Sequence, residues 1–316
     1  MKVAVWWSAG VTSAIAAHLA IKKYGAENVD IWFFETGAHH KDNERFIREC
    51  EQWYGKHISI VQNRLYKNPI DVMTKLNYIK SAYYAPCTDV LKKEMRLYVE
   101  EHYSYDHQIF GFEFGDIKEL NRAIRFKEQN AYTNPLFPLI DEKISKPQAL
   151  WILENSAQIK RPMMYQLGFS NNNCKMCPKG GFAYFNLCRK LFKPFFDATA
   201  KLERIVGYTC ATTKLYSITP KFLFKYVRKA KNIKPFPKRG VEKSVWISAK
   251  LLPRPKRERL KGRKKVWLDE LDPNRGRNMK PITAECGVIC ATEFTEFIDE
   301  RAEKLLSGQM KMEDIW

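Results

Sequence analysis

Residues Val3 to Lys23, VAVWWSAGVTSAIAAHLAIKK, constrain the rest of the chain more than any other stretch. Val3 to Trp7 is an apolar run that reads as a buried strand. It passes through Ser8-Ala9-Gly10-Val11-Thr12-Ser13 into helical spacing from Ala14 to Lys23. A strand that enters a helix through small residues gathers backbone N–H groups and a helix N-terminus at one point, which attracts anions. The hydroxyls of Ser8, Thr12 and Ser13 add donors. The stretch reads as a phosphate cradle or as an ordinary strand-to-helix turn. No Walker-type Lys follows it, which argues against a kinase-like or GTPase-like loop.

The same alternation continues. Val29 to Phe34 reads as a second buried strand, ending in Glu35-Thr36-Gly37. Loops at that edge line ligand crevices in open α/β sheets. Asp42 to Tyr54 has helical spacing, with Asp42 or Asn43 as cap and Cys50 as a packing residue. Ile58 to Val61 and Gln108 to Phe112 are further strands; Pro86 to about His102 and Gly115 to Gln129 are helices. Lys92 and Lys93 fall in the first turns of a helix, where cations oppose the dipole. An anionic ligand or plain solvent exposure explains them equally. Four strand–helix alternations predict a mainly parallel twisted sheet with helices on both faces and right-handed crossovers. Pro135 to Ile140 reads as a loop or edge segment, Ser145 to Asn155 as a capped helix, and Glu293 to Leu306 as a final amphipathic helix. The layout divides into an α/β domain over 1–165 and a Cys-containing region over 166–316, with a basic insertion at about 211–265.

Charge is concentrated. Between Lys214 and Lys265 stand 19 Lys and Arg against Glu242 and Glu258, so that segment holds +17 of the chain's +19. Phe222, Phe224, Tyr226, Phe236 and Trp246 are interleaved with it. The pattern suits a polyanion such as nucleic acid; a solvated basic face or an acidic partner is the alternative. No run of about twenty apolar residues predicts a membrane span. The N-terminus lacks a signal-peptide layout, so a cytoplasmic protein is expected.

In that compartment, eight cysteines point to metal or redox chemistry more than to disulfides. Cys174-x-x-Cys177 and Cys286-x-x-x-Cys290 form two close pairs among polar and glycine residues. Four thiolates fit zinc or an iron–sulfur cluster. A redox or sulfur-carrying dithiol is a further option, and so are two unrelated reduced pairs. Cys188 reads as packing and Cys210 as spare, while Cys87 sits at a turn between strand and helix.

Several stretches together resemble one family. SAGVTS resembles the SGG-x-x-S loop of the PP-loop ATP pyrophosphatases (adenine nucleotide alpha hydrolase-like superfamily). ETGAHHKDNERF and APCTDVLK resemble motifs of its phosphoadenosine phosphosulfate (PAPS) reductase-like branch. NNNCKMCPKGG, LDELDPNRGR and ECGVIC resemble later motifs of a phage and bacterial subgroup with paired cysteines. The resemblance covers about residues 1–210 and 266–292 and implies a HUP/PP-loop fold. It implies that Ser8, Gly10, Val11, Thr12 and Ser13 hold the phosphates of ATP or PAPS, with Mg²⁺. Glu35, Thr36 and Gly37 would border adenosine, and Lys92 and Arg122 would contact phosphate. Ser13 and Cys286 are the catalytic candidates; Cys174, Cys177, Cys286 and Cys290 are the candidate ligands of an iron–sulfur cluster or zinc. Ala9 departs from the glycine of the pattern, and its methyl crowds the loop if a positive φ is needed.

Three activities fit. The first is adenylation of a nucleic-acid oxygen by ATP, followed by sulfur transfer from a donor such as a cysteine desulfurase. The second is a PAPS or adenylyl-sulfate reductase with Cys286 as nucleophile. The third is a nucleic-acid-binding protein that kept the fold without catalysis.

Overall fold

The computed structural model describes residues 1–81, 84–217, 258–276 and 299–314. Cys286, Cys290 and the greater part of the Lys214–Lys265 segment lie outside the described residues.

Five parallel strands form the central sheet, in the order β3-β2-β1-β4-β5. They are β1 (Val3–Trp7), β2 (Val29–Glu35), β3 (Ile58–Gln62), β4 (His107–Ile109) and β5 (Pro135–Leu136). The first half of the chain adds α1 (Val11–Tyr24), α2 (Asn43–Tyr54), α3 (Pro69–Lys75), α4 (Pro86–Thr88), α5 (Glu94–His102) and α6 (Ile117–Gln129). After β5 come α7 (Pro138–Asp141), α8 (Lys146–Trp151), α9 (Met163–Gln166), α10 (Phe182–Leu191) and α11 (Lys193–Val206). An antiparallel ladder of β6 (Ala211–Ser217) and β7 (Glu258–Val266) follows, then α12 (Glu300–Ser307).

β1 is central because every one of its residues is apolar and buried, a pattern that needs cover on both faces. Val3, Val5 and Trp7 join one core with α1 and α2; Ala4 and Trp6 join the other with α6 and α12. Trp7 stacks on Phe46 at 5.6 Å and meets Phe33 edge-on at 5.5 Å. Each such side chain contributes about 1.5–3 kcal/mol by burial alone. Ala14, Ala16, Ala17 and Ala20 let α1 lie close to the sheet.

Several elements differ from the sequence expectation. β4 stops at Ile109 rather than Phe112, and the chain beyond it passes close to α1 at Gly111. A Cβ there would come within 2.8 Å of the Ser13 backbone. Asp42 precedes α2 without capping it through its side chain. Its carboxylate instead takes Arg45 Nε at 2.7 Å and Met163 N at 2.8 Å, tying α2 to α9. The helix from Pro86 to His102 is interrupted by a π-helical turn, Asp89–Lys93. The last helix is described only from Glu300, and it returns to the first half of the chain: Ala302, Leu305 and Met312 pack into the core under α6. Lys127 Nζ caps that contact on Met312 O at 2.7 Å.

A third core joins α10, α11 and the start of the ladder, around Tyr184, Phe185, Cys188, Phe196 and Leu268. Glu203, fully buried, accepts from Cys210 N at 2.6 Å and Leu268 N at 2.7 Å. Burial pushes its carboxyl upward, against the pull of the two amides.

Candidate active site

The carboxyl ends of β1, β2 and β4 converge on one edge of the sheet, the place where open α/β sheets bind ligands. Ser8, Ala9 and Gly10 leave β1, and the N-cap position of α1 is Gly10, which has no side chain to cap it. The loop is closed on itself: Ser13 Oγ donates to Gly10 O at 2.9 Å and lies 3.0 Å from Ser8 Oγ, and Ser8 N donates to it at 3.1 Å. Val11 N faces Tyr165 OH at 3.4 Å. Ala9 has φ +59° and is fully buried, so the position does take the left-handed conformation that glycine favours. The Ser8–Ser13 candidates are thus brought together around a helix N-terminus whose partial positive charge suits a phosphate.

Over this edge folds the stretch Asn171-Asn172-Asn173-Cys174, each residue of it buried. Asn172 Nδ2 donates to Ala9 O at 2.7 Å and to Asn43 Oδ1 at 2.8 Å. Lys146 Nζ donates to Asn171 Oδ1. Cys174 Sγ lies 3.0 Å from Thr36 Oγ1, and Lys175 N donates to Ala38 O at 2.8 Å. The turn between the thiols passes through Met176 at φ +57°. Tyr184 braces it, its hydroxyl donating to Cys174 O at 2.5 Å and accepting from Cys177 N at 3.0 Å.

Thr36 meets the thiol directly, and Glu35 stands one step behind it, on His39. His39 Nδ1 lies 3.1 Å from Glu35 Oε1, and the same imidazole is close enough to Cys174 to feel its sulfur. Burial works against protonation of His39, but the Cys174 sulfur and the Glu35 carboxylate outweigh it and lift the pKa to about 9. Burial likewise opposes ionisation of Glu35, yet His39 and the Gly37 and Thr36 amides hold its carboxyl below the usual range. Gly37 stands at φ +69°, and a Cβ there would meet Lys67 O at 1.9 Å.

A small cavity of about 10 Å³, room for roughly one water, lies among Thr36, Cys87, Thr88, Lys92, Cys174, Cys177 and Lys179. Lys92 is only 5% exposed, which removes solvent exposure as the explanation for that cation; Lys93 is the exposed one. Cys87, which the sequence places only at a turn between strand and helix, lines the same cavity as the Cys174–Cys177 pair. His39, two residues past the Glu35-Thr36-Gly37 stretch, and Asn172, in the triple-Asn run, were not singled out beforehand; both contact the site. Arg122 pairs with Glu119 within α6. Among the described residues, no group of three or more His, Cys, Asp or Glu side chains is arranged to hold a metal ion. The described part therefore supplies one half of the expected four-thiol set, and Cys286 and Cys290 lie outside it.

The remaining thiols behave as packing. Burial pushes Cys50 up to about 12 and Cys188 up to about 11, and it raises Cys210 as well. No described helix is long and apolar enough to cross a membrane.

No family model matches the chain, and no curated protein matches it. Among solved structures, it is similar to the U34-tRNA thiolase NcsA from Methanococcus maripaludis with its 4Fe–4S cluster, at 18% identity and a TM-score of 0.36, over 74% of this chain and 74% of that one.

Proposed function

We propose that the chain is an ATP-dependent adenylating enzyme of sulfur transfer, of the PP-loop ATP pyrophosphatase and PAPS reductase-like kind, which modifies nucleic acid by thiolation or phosphorothioation. The observation that carries this reading is the junction at the sheet edge. Asn172 reaches the β1–α1 loop at Ala9, and Cys174 stands beside Thr36 at the end of β2. A nucleotide-activating loop and a thiol pair share one hydrogen-bonded frame.

In this reading, the N-terminal end of α1, with Ser8, Gly10, Val11, Thr12 and Ser13, receives the phosphates of ATP with Mg²⁺. A nucleic-acid oxygen attacks the α-phosphorus and pyrophosphate leaves. The backbone N–H groups stabilise the charge that develops on it. The oxygen, now carrying AMP, is a good leaving group for a sulfur nucleophile. Lys92, buried at the thiol cavity, contributes positive charge there. The thiol chemistry of Cys174 and Cys177 fits an iron–sulfur cluster, or zinc, held jointly with Cys286 and Cys290. When bound, a cluster would hold the sulfur to be transferred. The Lys214–Lys265 segment binds the polynucleotide through phosphates, so affinity falls steeply with salt. A cysteine desulfurase is the proposed sulfur source, and the cytoplasm the proposed location.

The test is anaerobic purification with metal analysis, a visible spectrum, and pyrophosphate release from ATP with and without polynucleotide. Iron, a broad visible absorbance lost in the Cys174→Ser/Cys286→Ser variant, and polynucleotide-stimulated release are expected. Zinc or no metal overturns the iron–sulfur part; absence of pyrophosphate release overturns the enzyme. A second reading, a nucleic-acid-binding protein without turnover, draws on Ala9, since a methyl group stands at a left-handed position of the loop. Salt-sensitive polynucleotide binding without ATP binding is its signature.

A further inference from the structure

The segment that precedes the thiol pair is fastened at both ends of a very short span. Asn172 donates to Ala9 O at 2.7 Å and to Asn43 Oδ1 at 2.8 Å. Cys174 Sγ meets Thr36 Oγ1 at 3.0 Å, and Lys175 N donates to Ala38 O at 2.8 Å. From Asn172 to Lys175 the chain is therefore pinned to the β1–α1 loop, to the start of α2 and to the end of β2. Consecutive Cα atoms are about 3.8 Å apart, so a shift of the Ala9 carbonyl has almost no slack to absorb it before Cys174.

Two further observations concern the loop end of this brace. Ala9 holds a left-handed φ of +59° without being glycine, a conformation that persists only where its surroundings over-determine it. The Asn172 amide on its carbonyl is the contact that fixes that peptide. Asn172 is also 7% exposed, and its Oδ1 has no hydrogen-bond partner among the described residues. A buried acceptor left unmet is costly, and an apolar residue of similar size would fill the space without that cost. The amide is thus explained by what its donor side holds.

We propose that Asn172 is a positioning residue that couples the phosphate loop to the thiol pair, so that a nucleotide at the loop and the state of Cys174 influence one another. The inference rests on the nucleotide-loop reading. Coupling of this kind is reciprocal: a change at Cys174 alters affinity at the loop by the same factor that nucleotide alters the thiol site.

The experiment is a double-mutant cycle read as the Kd for ATP on the full chain. It uses the wild type, Asn172→Ala, Cys174→Ser and the double variant, with thermal melts as a folding control. Asn172→Ala is expected to weaken ATP about tenfold. Cys174→Ser is expected to change the Kd about fivefold in the wild-type background and less than twofold in the Asn172→Ala background. A purely structural Asn172 would leave the Cys174 effect equal in both backgrounds, and that result overturns the proposal. So does an Asn172→Ala protein that binds ATP as the wild type does. If Asn172→Ala fails to fold, Asn172→Asp keeps the shape, removes the donor to Ala9 O and takes its place in the cycle. A wild type that binds no ATP defeats the nucleotide-loop reading itself, which is visible before any variant is compared.

Discussion

Thr36 and Cys174 stand 138 residues apart in the chain, and their Oγ1 and Sγ atoms lie 3.0 Å apart in the fold. The contact joins the exit of a central strand to the first of the paired thiols. It places the cysteine turn on the same sheet edge as the β1–α1 loop. Thr36→Val keeps the shape and removes the hydroxyl. It should cost about 1 kcal/mol in a urea melt. It should also speed amide exchange at Lys175, whose N–H bonds Ala38 one turn of chain away. Unchanged exchange at Lys175 would show that the hydroxyl does not anchor the turn.

Ala9 allows the effect of the loop methyl on folding to be separated from its effect on the proposed reaction. Its left-handed φ penalises a side chain, while its buried methyl adds packing. These oppose each other, so Ala9→Gly should stay within about 1 kcal/mol of the wild type. Ala9→Val, β-branched at positive φ, should cost more than about 2 kcal/mol. Denaturant melts of both variants check this. A change in ATP turnover in Ala9→Gly then reports the effect of the methyl on the reaction rather than on stability.

Gly111 is where β4 gives way to the loop that passes α1. A Cβ there meets Ser13 N and Cα at 2.8 Å, which are backbone atoms with little room to yield. Gly111→Ala should cost about 1–3 kcal/mol by overpacking. The displaced turn of α1 should also weaken ATP binding, as isothermal titration would measure. Loss of stability without loss of affinity would separate that turn from the nucleotide.

Asp42 gives the chain an acid-sensitive joint. The Arg45 guanidinium, against the penalty of burial and with help from Met163 N, holds its carboxyl below the usual range. A depressed folded pKa means stability that is present above the unfolded value near 3.8 and is lost as pH falls through the lower folded value. Asp42→Asn should therefore cost about 1 kcal/mol at pH 7 and much less at pH 2.5. Urea melts at the two pH values test the sign; an equal cost at both would mean that the charge is irrelevant.

The sheet was legible because β1, β2 and β3 are apolar runs with loops between them, and local pattern is enough to place such strands. Ser145 was legible for the same reason: the capping box that it forms with Gln148 lies within one turn. What stayed hidden depends on distant partners. The sequence leaves Lys92 open between an anionic ligand and solvent, and only its place in the π-helical turn beside the thiol cavity shows it buried. Cys87 has nothing in its own neighbourhood that points to Cys174 and Cys177. β6 and β7 pair although residues 218–257 separate them in the sequence, which no rule of local preference would select.

That pairing has a consequence for how the chain is assembled. The ladder brings Ser217 and Glu258 side by side, at the two points that flank residues 218–257 in the sequence. Joining Ser217 to Glu258 by a two-residue turn therefore asks little of the ladder. Loop closure depends only weakly on length. A chain with 218–257 replaced by Asn-Gly should keep its melting temperature and its ATP affinity while losing salt-sensitive polynucleotide binding. Retention of that binding would place the polyanion surface elsewhere. Loss of that binding with ATP affinity intact would make polyanion affinity and the thiol turn separately exchangeable, because Ser217 and Glu258 need only a short connection.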